Sequence, residues 1–377
     1  MSVAPARAVP STAAPAPRDP APPARPDGRG RSRRPLPGGW ILRPLGMTLA
    51  NLTAFVVVAF FLVQLIPGDP VVTATGGRLT GAELEAARAT YGLDRPWPEQ
   101  FVAYLGQLVS LDLGTSIATG RPVADDFAAR IPATLELVLS GLVLACVVAV
   151  LLSHYVVTHR ATRTARVLTS YARSAGALPE YVIGIAFLFV FYAVLHWAPA
   201  PTGRLDPALI SPPRTTGFPV LDALIAGDVA AAQSGVAHLV LPVIVMVVAH
   251  TPILMKTLIV GLDAAIDDPA TRFRIASGAP RRSVLASIYR RALPTAVPML
   301  GMLFGLLLGG AVVLEALFGL GGLGQYAVDA VNSSDVFALR SFLVVTAAMC
   351  LAIYLLSDIG VGLLDPRRRS VANGGAR

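Results

Sequence analysis

Six stretches of this chain are apolar for long enough to cross a membrane as helices. They run from Leu45 to Ile66 and then over about 134–157, 177–198, 236–259, 295–316 and 341–363. Blocks of about 18 to 23 apolar residues match ~30 Å of hydrocarbon at the helical rise. Each has few or no charges in its middle. On an insertion scale a central Leu, Ile or Val gains ~0.3–0.6 kcal/mol, whereas one Arg costs ~2.5–3.5. Only 14 % of residues are charged and 54 % are hydrophobic, where a soluble protein carries about a quarter charged. The expected fold class is an all-α integral membrane protein with six transmembrane helices.

Orientation follows from Lys and Arg, which collect on the cytoplasmic side. Residues 1–44 hold 8 of them, 158–175 hold 4, 256–294 hold 7 and the C-terminal end holds 4. The segments 67–132, 199–235 and 317–340 hold 5, 2 and 1. That is 23 against 8, so both termini and the 256–294 loop are expected in the cytoplasm. The net charge of +8 is then a matter of topology and does not point to nucleic acid.

In chain order, residues 1–39 are rich in Pro, Ala, Gly and Arg and read as a disordered tail. Ser32-Arg33-Arg34 resembles a twin-arginine signal, but the apolar run that follows is too long for a signal core, so it reads as a retained first span. Ile66-Pro67-Gly68-Asp69-Pro70 stops that helix. Residues 40–132 therefore comprise a first span and an external helical region. Thr80-Gly81-Ala82-Glu83 predicts a capping box before a short helix ending at Gly92. A second helix from near Pro96 carries Phe101, Tyr104, Leu105 and Leu108 on one face. Residues 133–364 form the main membrane domain, and 365–377 a second cytoplasmic tail.

Between the fourth and fifth blocks, Asp267 to Leu293-Pro294 reads as two short helices with a sharp corner. Asp268 caps the first, and Pro269 suits its first position. Gly278 ends it in the left-handed conformation, and Pro280 opens the second. Arg281 and Arg282 fall in the first turn of that second helix, where positive charge opposes the dipole. Local stability does not explain them; contact with something outside the chain, such as anionic lipid head groups, would.

Other motifs are set aside on context. Gly319-Leu320-Gly321-Gly322-Leu323-Gly324 fits G-x-G-x-x-G, but it follows a span instead of a strand, and reads as a flexible re-entry or close-packing turn. No Walker A motif, H-E-x-x-H or G-x-S-x-G occurs in the sequence, so the chain does not read as an enzyme and needs no cofactor of its own. Cys146 and Cys350 lie inside apolar blocks, and the five histidines lack ligand spacing. Glu315 and Asp358 lie at or near membrane depth and are functional candidates on cost alone. The plainer expectation takes Glu315 to the outer interface and lets Asp358 cap or pair near the inner one, with Glu136 and Glu180 at span mouths.

Ala276-Ser277-Gly278 followed by a basic, apolar helix resembles the EAA loop of ABC-importer permeases. Arg272-Phe273-Arg274 stands where many families have Glu-Ala-Ala, and Leu293-Pro294 lies about three residues beyond its usual place, nearly one helical turn. Other markers are Leu65-Ile66-Pro67-Gly68-Asp69-Pro70, Gly92-Leu93-Asp94-Arg95-Pro96 and Asp112-Leu113-Gly114-Thr115-Ser116. Arg121-Pro122-Val123, Ile131-Pro132-Ala133-Thr134-Leu135-Glu136-Leu137, His238-Leu239-Val240-Leu241-Pro242, Leu314-Glu315-Ala316-Leu317-Phe318 and Leu364-Asp365-Pro366-Arg367 complete the set. Over roughly 40–369 the chain resembles the first permease subunit of the dipeptide/oligopeptide/nickel group of ABC importers.

The resemblance implies a type I importer transmembrane domain in the cell (inner) membrane. Its expected partners are a second homologous permease, two ABC ATPases that bind the ATP, and an extracytoplasmic substrate-binding protein. The cargo would be di- or oligopeptides or related solutes such as nickel chelates. It implies an ATPase-coupling loop over 256–294 that includes Arg272, Arg274, Ala276, Gly278, Ala279, Pro280, Arg281, Arg282 and Leu285. Glu315, Gly322 and Gly324 are the candidates for pathway or gating roles. The alternative is a secondary carrier or channel that works without an ATPase, for which internal repeats, broken helices with midplane charges or a filter sequence are expected. None of these is evident in the sequence.

Overall fold

A computed structural model describes residues 39–174 and 176–364; the expected tails at 1–39 and 365–377 lie almost wholly outside the described residues. Those described form helices and no strand. The first helix, α1 (Gly39–Gln64), stops before Pro67 and is followed by short α2 (Pro70–Ala74), α3 (Ala82–Thr90) and α4 (Trp97–Val109). Then come α5 (Val123–Thr158), α6 (Arg163–Arg173), α7 (Glu180–Phe187) with a π-helical extension to Val194, and α8 (Pro219–Ile225). The rest comprises α9 (Val229–Asp267), α10 (Pro269–Ala276), α11 (Arg281–Phe318), α12 (Leu323–Asn332) and α13 (Val336–Leu364).

Five helices, α1, α5, α9, α11 and α13, are long and apolar enough to cross a membrane, and Glu180–Val194 is a shorter apolar helix. The expected span at 177–198 is thus not one full-length helix. It is the shorter apolar run Glu180–Val194, α7 with its π-helical extension, and the separate basic helix α6 ends before it at Arg173. Both helices pack along α9: Leu168 and Tyr171 of α6 join the main core, and the Tyr171 hydroxyl donates to the Val248 carbonyl at 2.7 Å. Glu180 opens α7. It lies against α9, its Oε2 3.8 Å from His250 Nε2. The His250 Nδ1 in turn meets the Met246 carbonyl at 3.0 Å. A side chain on Gly310 of α11 would collide with the Glu180 carboxylate.

The core lies where α5, α9 and α11 cross. Leu137, Val138, Ala145 and Ala149 of α5 face Val245, Met246, Leu254 and Met255 of α9, and Leu303, Phe304, Leu307 and Ala311 of α11 close the cluster. Small residues allow this approach: a Cβ on Gly141 would stand 2.8 Å from the Met246 sulfur. Such close crossings, more than hydrophobicity, hold helices together in lipid. Outside this trio α1 packs on α13, and α4 lays Phe101, Tyr104 and Leu108 over Phe60. Leu105, expected on the same face, is exposed. Beneath them the Arg340 guanidinium of α13 sits 4.4 Å from the centre of the Phe60 ring, so this cation lies inside the bundle and not in the outer loop.

Two local expectations change. The capping box at Thr80–Glu83 does not form; Gly81, at φ +55°, is the residue before α3 and no side chain caps it. Nor does Leu293-Pro294 end a short helix. The helix begun at Arg281 continues through Pro294 and Pro298 to Phe318. Proline's φ is helical, and neighbouring helices absorb the missing hydrogen bond. The 256–294 segment is likewise helical as far as Asp267.

Candidate functional site

Two polar constructions stand out at opposite ends of the α9–α11 pair. The first is the corner at α10. Asp268 caps α10 by accepting from the Ala270 amide at 2.7 Å, and Gly278 follows at φ +73°. Pro280 then opens α11. The chain thus turns as its residues predict.

What fixes the corner to the bundle had no signal in the sequence. The buried Thr271 hydroxyl donates to the Ala265 carbonyl at 2.6 Å, tying α10 back to the end of α9. From α11, Arg291 reaches over to Asp268 Oδ1 at 3.1 Å and also donates to the Thr271 hydroxyl. One guanidinium therefore holds cap and helix together. A spacing of 20 and 23 residues across a turn carries no helical periodicity, so only the fold reveals the clamp.

The outward face of this corner is the other half of its character. Arg272, Arg274, Ala276, Gly278, Pro280, Arg281 and Arg282 are exposed, and Ala279 and Leu285 are half-buried. Among them Phe273 is 73 % and Ile275 61 % exposed. A basic surface with two bare apolar side chains has the make-up of a protein-docking face, an apolar centre with a charged rim.

The second construction surrounds Glu315, near the end of α11. The expectation of a residue reaching the outer interface is corrected: Glu315 is fully buried. Its carboxylate accepts from the Thr134 hydroxyl of α5 and from the Gly324 amide of α12, each at 2.7 Å. The Leu323 amide donates to the same Thr134 hydroxyl at 2.8 Å. Glu315 and Thr134 thus cap α12 from other elements, satisfying amides that its own chain leaves bare.

The glycines complete the arrangement by closeness rather than flexibility. A Cβ on Gly322 would overlap the Glu315 carboxylate, and one on Gly324 would run into the α11 backbone at Val312. Of the two readings of this glycine run, the close-packing turn is the one observed. Glu315, Gly322 and Gly324 come together, but in a packed joint.

Arg204, from the loop after the π-helical segment, is the residue that sequence reasoning missed. Its Nε donates to the Leu320 carbonyl at 2.7 Å. Its terminal nitrogens lie 3.6 Å from Glu136 of α5 and 3.6 Å from Glu315. Glu136 also accepts from the Val220 amide at 3.0 Å, which ties in α8. Burial pushes the Arg204 guanidinium below the ordinary arginine value, and the carboxylates of Glu315 and Glu136 pull it back only in part. One cation between two acids therefore joins α5, α8, α11 and the turn into α12. Asp358, by contrast, is exposed near the C-terminal end of α13.

Comparison with known proteins agrees with this architecture. Residues 141–370 match a family model described as "Binding-protein-dependent transport system inner membrane component". Residues 40–138 match the N-terminal model of such membrane components. The chain is 33 % identical over 312 residues, 82 % of its length and 92 % of the relative's, to the probable D,D-dipeptide transport system permease protein DdpB of Escherichia coli K12. It is 29 % identical over 332 residues, 88 % of its length and 98 % of the relative's, to the di/tripeptide transport system permease protein DppB of Pseudomonas aeruginosa UCBPP-PA14. With the dipeptide permease DppB of E. coli K12 it shares 28 % over 335 residues, 88 % and 98 % of the two chains.

Proposed function

Because the chain belongs to the family of binding-protein-dependent transport system inner membrane components, we propose that it forms half of the pathway of an ATP-driven peptide importer. It is a multi-pass, non-catalytic subunit. We take the shorter apolar helix Glu180–Val194 as one further span, giving six, with both termini and the α10 corner in the cytoplasm. This is the arrangement of a type I importer domain. A second, similar permease completes the pathway, an external binding protein delivers the peptide, and two ATPases dock on the paired corners in the cell membrane.

The observation that carries this reading is the α10 corner, an exposed basic and apolar face held rigidly to α9 and α11 by the Arg291 clamp. Closure of the ATPases on ATP pulls this face, and the long helices α9 and α11 carry the movement to the joint at Glu315. Alternating access follows by rigid-body rocking. Coupling of this kind is a free energy shared between two sites, so it calls for a stiff connection and no catalytic group.

Purification of the tagged chain from its native membranes in mild detergent tests the assembly. A second permease and one or two Walker-type ATPases are expected to accompany it. Recovery of the chain alone, or only as its own oligomer, would sink the importer reading. Orientation has its own test. Ser277→Cys is expected to react with a membrane-impermeant maleimide only after the cells are opened, and Ala208→Cys in intact cells. The reverse pattern would overturn the topology.

A further inference from the structure

Next to Arg204, a cavity of about 480 Å³ lies between the start of α5, the loop that carries Arg204 and Arg214, and the Gly319–Gly321 turn. Its size falls within the ~300–1,000 Å³ of small-molecule sites. Four guanidinium groups line it, those of Arg121, Arg130, Arg204 and Arg214, against two carboxylates, Asp126 and Asp222.

The charges are not equally available. Asp222 is saturated by its own loop: it accepts from the Thr216 amide and hydroxyl, each at 2.6 Å, and from the Gly217 amide at 2.9 Å. Those donors, the Thr216 hydroxyl first, hold its carboxyl below the usual range. Asp126 faces Arg121 at 3.8 Å, and Arg204 is engaged with Glu136, Glu315 and the Leu320 carbonyl. Arg130 lies over the Tyr326 ring, 5.0 Å from its centre. Its Nη1 is 3.5 Å from the Gly321 and Gly322 carbonyls, contacts at the limit of a hydrogen bond. Among the described residues neither Arg130 nor Arg214 has an acidic partner.

We propose that this cavity is a subsite for the C-terminal carboxylate of a short peptide, with Arg130 and Arg214 as its ligands. The planar fork of a guanidinium matches a carboxylate through two parallel hydrogen bonds. Every peptide ends in that group whatever its side chains, so two arginines recognise the class without choosing a sequence. The Tyr326 ring beside it restrains the Arg130 side chain before binding, which lowers the entropy lost. This inference rests on the peptide-importer reading and on the outward placement of the 199–235 loop.

The test uses the full chain in lipid nanodiscs, with whatever subunits purify with it, and the dipeptide Ala-Phe against its C-terminal amide. Direct binding by calorimetry is expected to favour the free acid by about tenfold or more. Arg130→Gln and Arg214→Gln should each abolish that preference while leaving the amide's affinity unchanged. Equal binding of acid and amide to the unmodified protein, no binding of either, or a preference that survives both substitutions would overturn the proposal. Protection of Arg214→Cys from alkylation by peptide-free binding protein but not by the dipeptide would make the cavity a protein-docking surface, and would also overturn it. If an ATPase and a second permease purify with the chain while acid and amide bind alike, the importer reading stands and only this subsite falls.

Discussion

Replacing Arg204 by alanine is expected to destabilise the folded protein by about 3–5 kcal/mol, the usual cost of removing one partner from a buried ion pair. The reason is the remainder. Glu136 and Glu315 would keep their hydrogen bonds to Val220, Thr134 and Gly324 yet face each other without the cation between them. The triple replacement Glu136→Gln, Arg204→Met, Glu315→Gln should recover most of the loss, since neutral groups carry no such desolvation cost. Thermal unfolding of the purified protein in detergent reads the difference. A single substitution as mild as the triple one would show that the cluster does not hold the joint.

Gly278→Pro is expected to abolish uptake while the protein still inserts and accumulates normally. Gly278 adopts φ +73°, and a proline is fixed near −65°. The chain leaving α10 would then point elsewhere, so the docking face would no longer meet its ATPase squarely. Gly278→Ala separates conformation from crowding: nothing lies within 4 Å of an added Cβ, so only strain of roughly 1 kcal/mol remains. It should retain partial uptake. Arg281→Glu is expected to insert normally and to uncouple ATP hydrolysis from uptake through charge reversal on the same face. Normal uptake by both Gly278→Pro and Arg281→Glu would remove the corner from the mechanism.

Periodicity, punctuation and charge made much of the frame legible. The stop after Gln64, the cap at Asp268, the left-handed Gly278 and the opening at Pro280 are local events, written in residues a few positions apart. Long-range closure is not written that way. Arg204 meets Glu315 across 111 residues, and Thr134 meets it across 181; the sequence offers no spacing from which to infer either. Pro179 marks the start of α7, and the apolar helix from Glu180 ends at Val194, short of the expected 198. Thr80 and Glu83 mislead in the other direction, because Gly81 takes the position before α3 and the serviceable capping pair never meets.

The burial of Glu180 at the start of α7 also bears on how the chain is made. Glu180 emerges from the ribosome about 70 residues ahead of His250, which at ~5–20 residues per second is ~4–14 s. During that interval the carboxyl has no partner, and α7 is too short and too polar at its start to settle in lipid by itself. The contact with His250 forms only once α9 has arrived, and the fit against Gly310 only once α11 has followed. The final seating of α7 therefore waits for helices made after it, so the start of this span is fixed late in the biogenesis of the subunit.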